Sequence, residues 1–167
     1  MTRSSADSVQ YDIEHLHRAI ELALEAERVG NLPIGAVVTL EDNIIAEAGS
    51  SILVPDYNPG RHAEMEAFRR VPASLWHRSA EMTCYTTLEP CYMCAGAILL
   101  HRIGRVVFGA RDVLGGGSLL LKHLPEYYSG GFGIPVWTGP VLAEVCDQLY
   151  ERARDRFDRL PCGRNYR

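Results

Sequence analysis

The succession of apolar patterns in this chain predicts a three-layer α/β/α sandwich, a central mixed sheet of about five strands flanked by helices. Three observations lead there. Apolar residues recur at helical spacing near both ends of the chain. Five short stretches between them read as strands. Two further helical stretches fall between those strands, so strand and helix alternate. At 167 residues the chain is the size of one domain and long enough to bury a substantial core.

The first helix is read over 9–29, where Val9, Ile13, Leu16, Ile20, Leu24 and Val29 share one face and Gly30 stops it. AVVTL (36–40) and NIIAEA (43–48) follow as two strands, joined by a tight turn at Glu41-Asp42. A polar loop with Pro55 comes next. Asn58 then resembles an N-cap, with Pro59 just inside a helix running to about Arg70. EMTCYTT (81–87) reads as a strand and PCYMCAGAILLHR as a helix opened by Pro90. RVVFGA (105–110) is a fourth strand. Residues 111–134 are Gly-rich and loop-like, with a short helix at SLLLKHL, and PVWTG (135–139) is a fifth strand. Leu142, Val145, Leu149, Ala153 and Phe157 mark a C-terminal helix. The expected organisation is a disordered N-terminus (1–8), one domain (9–160) and a tail (161–167).

Composition narrows the function. Hydrophobic residues make up 47% and charged residues 23%, ordinary for a globular chain. No apolar run approaches the roughly 20 residues of a membrane span. The N-terminal MTRSSADS carries no apolar signal segment, which predicts a cytoplasmic protein. The net charge of −4 does not favour life on phosphate backbones.

Five cysteines, two of them spaced Cys91-x-x-Cys94, point to metal or redox chemistry in a reducing compartment. Alone, Cys91 and Cys94 would suit a redox pair, and His62 alone would be an ordinary helix histidine. Together they change meaning. His62-Ala63-Glu64 and Pro90-Cys91-Tyr92-Met93-Cys94 both stand at helix starts, which collect along one edge of an α/β sheet. One imidazole and two thiolates suit zinc. Cys91 and Cys94 share a helix face. The helix N-terminus favours their thiolates. Three protein ligands leave a fourth position for water, the mark of a catalytic rather than a structural site. Zinc draws the pKa of such a water towards neutrality. Glu64 is then the candidate base. Cys84 and Cys146 read as core residues, and His15, His17, His77 and His123 as surface or loop positions.

H-x-E followed by P-C-x-x-C is the signature of zinc deaminases that act on nucleobases. NLPIGAVV, RHAEMEAF, YTTLEPCYMCAGAILLHRIGRVVFGARD and GGGS resemble the cytidine deaminase-like superfamily, and within it the bacterial tRNA adenosine deaminases and their nucleobase- and nucleoside-deaminating relatives. The resemblance covers about residues 11–121. It implies a Zn2+ enzyme, usually a homodimer, in which Glu64 shuttles protons while an exocyclic amine is replaced by a carbonyl. It further implies a base pocket lined by the backbone of Ala63, of Leu32 to Gly35, including Ile34 and Gly35, and of Leu88, Glu89 and Pro90. Asp112 is a possible substrate contact by the same analogy, or a turn cap. The EYYSGGF segment is either a lid or a packed loop.

The chain departs from the family pattern in two places. An Asn that contacts the nucleobase or the sugar usually precedes H-A-E by about a dozen residues in the family it resembles; here Ser50 or Ser51 takes its place, with Asn58 as a substitute from the loop. The segment 151–167 holds six Arg against three acids, which leaves the remainder more acidic than the whole. A free nucleobase, nucleoside or related amino-heterocycle is therefore the first expectation, with tRNA the alternative. A third alternative, from another class, is a binding module in which zinc only staples the fold.

Overall fold

The computed structural model describes residues 5–41, 43–129 and 133–160, and for 5–7 the backbone alone. The expected tail 161–167 and residues 1–4 lie outside these. Helix α1 (Ser5–Arg28) leads into strands β1 (Gly35–Leu40) and β2 (Asn43–Gly49). Helix α2 (Ala63–Phe68) and a 3-10 helix (Ala73–Glu81) precede β3 (Met82–Leu88). Then come α3 (Tyr92–His101), β4 (Arg105–Ala110), a second 3-10 helix (Gly117–Lys122), α4 (Glu126–Ser129), β5 (Val136–Thr138) and α5 (Ala143–Asp158).

The sheet runs β2-β1-β3-β4-β5 and is mixed. β1 is antiparallel to β2 and β3, while β3, β4 and β5 are mutually parallel where they pair. Parallel neighbours need a crossover, which α3 supplies between β3 and β4. Side chains alternate between faces along each strand. Ala36 and Val38 join Ala63, Ala67, Phe68 and Ile98 on the face covered by α2 and α3. Val37, Tyr85 and Val107 meet Leu16, Ala19 and Leu22 of α1 on the other. α5 extends that second cover through Cys146 and Leu149. β1 is buried at all six positions because it is covered on both sides. Edge strand β2 opens with two exposed positions and then alternates half-buried with buried ones.

Several expectations need correction. α1 begins at Ser5, so residues 5–8 are helical rather than a disordered N-terminus. α2 has only six residues, and its N-cap is His62, not Asn58. The Asn58 side chain instead accepts the Gly60 N–H at 2.9 Å, which holds Pro59 and Gly60 in a turn ahead of the helix. His15 is buried: its Nδ1 meets the Tyr11 carbonyl at 2.8 Å and its ring stacks on Tyr85. Nearby, Arg105 donates twice to Asp12, at 2.6 Å each, and the Tyr85 hydroxyl donates to the same carboxylate. This buried cluster joins α1 to β3 and β4. Among the described residues no helix is long and apolar enough to cross a membrane.

Candidate metal centre and active site

The site forms where β3 and β4 end and β1 begins. β3 delivers Leu88, Glu89 and Pro90 to the start of α3, and Cys91 is the N-cap of that helix. α2 packs beside it and opens with His62 as its own N-cap. Two chain segments about thirty residues apart thus turn their helix starts towards one point.

The donor atoms have the spacing of a shared ion. His62 Nδ1 lies 3.6 Å from Cys91 Sγ and 3.6 Å from Cys94 Sγ, and the two sulfurs are 3.8 Å apart. A tetrahedral zinc with ordinary Zn–S and Zn–N lengths requires about 3.8 Å between sulfurs and about 3.6 Å between sulfur and nitrogen. The residues therefore fit zinc in donor type, number and separation. They are the one His/Cys/Asp/Glu group of metal-binding geometry among the described residues.

Protonation follows from the same packing. The hydrogen bond from Cys94 holds the Cys91 thiol down to about 4, helped by His62 and opposed by burial. That bond, with burial, pushes Cys94 up. Burial works against a charge on His62, but Cys91 and the Glu64 carboxylate together raise it. Glu64 is 3% exposed, and burial pushes its carboxyl up despite the pull of His62. The Thr86 hydroxyl donates to Glu64 Oε1 at 3.2 Å, while Oε2 stands 3.5 Å from Cys94 Sγ. The spacing of two residues that separates side chains within a helix is overcome because His62 sits at the N-cap, outside the helical turn.

A cavity of about 360 Å3 begins at His62. Leu32, Ile34, Ile52 and Leu88 line it together with Asp112, Gly115, Tyr150, Ala153 and Arg154, and Ala153 packs against Leu32 and Ile52. Leu32, Ile34, Leu88 and Asp112 thus stand where a pocket contact was expected. The remaining expected contacts do not line this cavity. Gly35 is committed to packing: a Cβ there would come within 2.0 Å of the Ala19 carbonyl oxygen. Its N–H donates to Thr87 Oγ1. Ala63 is sealed in the core under α2. Asn58 is exposed and its side chain is engaged in its turn. Ser51 donates its backbone N–H to Arg61, and Ser50 is buried with its hydroxyl unpaired among the described residues. Tyr127 and Tyr128 of the aromatic loop stand off the cavity wall, with Tyr127 64% exposed.

Glu89 is buried and faces the 112–118 loop instead. It accepts the backbone N–H groups of Asp112 (3.2 Å) and Ser118 (3.3 Å). Pro90 accepts the Gly117 N–H at 2.7 Å, which lays that loop against Cys91. Sequence reasoning missed Asn31, Tyr150 and Arg154. Asn31 is 3% exposed, and its Oδ1 accepts the N–H groups of Leu53 (2.8 Å) and Val54 (3.0 Å), fixing the loop that carries Ile52.

Residues 9–110 match the cytidine and deoxycytidylate deaminase zinc-binding region. The chain belongs to this zinc deaminase family. Among its relatives is the tRNA-specific adenosine deaminase of Haemophilus influenzae, 39% identical over 140 residues, which cover 83% of this chain and 80% of that one. A probable cytosine deaminase of Schizosaccharomyces pombe is 37% identical over 108 residues, 64% of each chain. A solved deaminase, from a study of A-to-I editing by tRNA:A34 deaminases, superposes with a TM-score of 0.67 at 28% identity, covering 82% of this chain and 99% of that one. The zinc deaminase is accordingly a hydrolytic enzyme, and its cofactor is zinc.

Proposed function

We propose that this deaminase converts adenosine to inosine in a tRNA loop, with Glu64 as its proton shuttle. The observation that carries this reading is the course of the cavity. It runs from His62, beside the buried Glu64, to the exposed Leu114, Arg154 and Asp158 at the surface. Such a passage lets one base enter while its backbone stays outside. The exposed Arg154 at the mouth offers a cation to that backbone. The similarity to a tRNA-specific adenosine deaminase over four-fifths of both chains supports it. We set this similarity above the order drawn from net charge, which bears on the whole surface and not on one contact at Arg154.

Bound zinc supplies Lewis acidity that brings the attacking water towards neutrality. Glu64 takes a proton from that water and passes it to a ring nitrogen of the base. It then takes the remaining proton from the new C–O–H group and gives it to the departing amine. Water oxygen ends on the ring carbon and ammonia leaves, so the exchange is balanced. Thr86 holds Oε1 through this cycle, leaving Oε2 to face the reaction. A raised carboxyl suits a group that must both accept and return a proton.

A free base or nucleoside remains the second reading, favoured by Ser51 where the family pattern has an amide. Ammonia release across bases, nucleosides, amino-triazines and a tRNA anticodon stem-loop separates the two. Release from the stem-loop alone is the expected result. Release from free compounds alone makes the second reading the correct one.

A further inference from the structure

Tyr150 lies on α5, far in sequence from every motif, yet it touches the loop that lies over Cys91. Its hydroxyl donates to Asp112 Oδ1 at 2.6 Å. The same oxygen accepts the N–H groups of Leu114 (3.1 Å) and Gly115 (3.0 Å). Oδ1 is therefore fully engaged, while Oδ2 accepts no hydrogen bond among the described residues. The face of the Tyr150 ring is covered by the Arg154 guanidinium, 5.6 Å from its centroid. Asp112, Gly115, Tyr150 and Arg154 all line the cavity. The inner side of the loop is held by Glu89 and Pro90, one residue from Cys91. Asp112 is thus fixed from within by its backbone N–H and from without by Tyr150.

We propose that Tyr150 is a positioning residue for substrate selection. It latches α5 to the 112–118 loop and orients Asp112, so that one carboxylate oxygen remains to accept a hydrogen-bond donor of the substrate. A tyrosine suits this task because its rigid ring carries one polar handle at a fixed reach. The hydrogen bond is to a charged acceptor and is short, which places it among the stronger kind. The latch concerns how substrate is held, not the metal or the proton shuttle. It rests on reading the cavity as the substrate site.

The test compares zinc-loaded wild type with Tyr150→Phe, Asp112→Ala and the double variant, using whichever compound or RNA of the ammonia-release panel is turned over. For Tyr150→Phe, KM is expected to rise roughly tenfold, the weight of one hydrogen bond to a charged group. Zinc content, melting temperature and kcat should stay near wild type. The double variant should be no worse than Asp112→Ala, because Tyr150 acts through that residue. Amide exchange should quicken at 112–118 and not elsewhere. Additive losses of KM, or unchanged KM with unchanged exchange, overturn the latch. If wild type deaminates nothing in the panel, the proposed function fails, while the exchange measurement still decides whether Tyr150 holds the loop.

Discussion

Glu64 carries the largest consequence for its size. It is buried against Thr86 and Cys94 and has no ion-pair partner in the described residues beyond the site itself. Glu64→Gln keeps the shape and both contacts but cannot accept the proton. It should retain zinc, measured by metal analysis, and lose roughly 10²–10⁴-fold in kcat, the usual weight of a positioned acid or base. Full activity with full zinc would show the metal to be a staple. His62, Glu64, Cys91 and Cys94 were legible in the sequence because a metal restricts its ligands to few residue types, and helix starts fix their spacing. Asn31 and Tyr150 were not. Each acts through a hydrogen bond to a residue 22 to 38 positions away, and no local pattern announces that. His15 was misread for a related reason: its burial comes from Tyr85, a neighbour only in the fold.

At the scale of elements, periodicity located all five strands and the long helices, since each presents a repeating face to the core. The helix carrying His62 was drawn too long, because Pro59 and Gly60 fit a helix start as well as the turn that Asn58 imposes. The 3-10 helix at Ala73–Glu81 gave no periodic signal. Its ordering comes from Trp76, which meets Phe68 edge-on and stacks on His101 of α3. The loop from Ile52 onwards depends on Asn31 in the same way. Asn31→Ala leaves two backbone N–H groups without their acceptor. The expected loss of stability is about 1–3 kcal/mol in urea unfolding. KM should rise as well, since Ile52 is one side of the cavity. An unchanged unfolding midpoint would remove Asn31 from the argument.

Across the whole molecule, ion pairs join elements that packing alone leaves adjacent. Arg152 on α5 lowers Glu27 on α1, Arg18 on α1 lowers Glu47 on β2, and Arg61 lowers Glu66, each mainly through its side-chain hydrogen bond. A carboxylate lowered by folding adds stability that is fully present above its ordinary value of 4.5 and is lost as pH falls through the folded value. The melting temperature should therefore drop as pH goes below 4.5, and Glu47→Gln should make that drop shallower. Salt should weaken the effect, because these pairs are partly exposed. A drop as steep in Glu47→Gln as in wild type would place the acid sensitivity elsewhere.

Next to Ile34, which lines the cavity, Gly35 makes a contact of another kind. On the β1 side, helix and sheet meet backbone to backbone at Ala19, and even a methyl group has no room. No larger residue fits at Gly35 without moving α1 off the sheet. On the α5 side, Arg154 and Asp158 line the cavity with exposed side chains. Inheritance can rewrite that side one residue at a time while the metal ligands stay where they are. Substitution along a single helix can in this way change what the cavity accepts, while the backbone contact at Gly35 stays fixed.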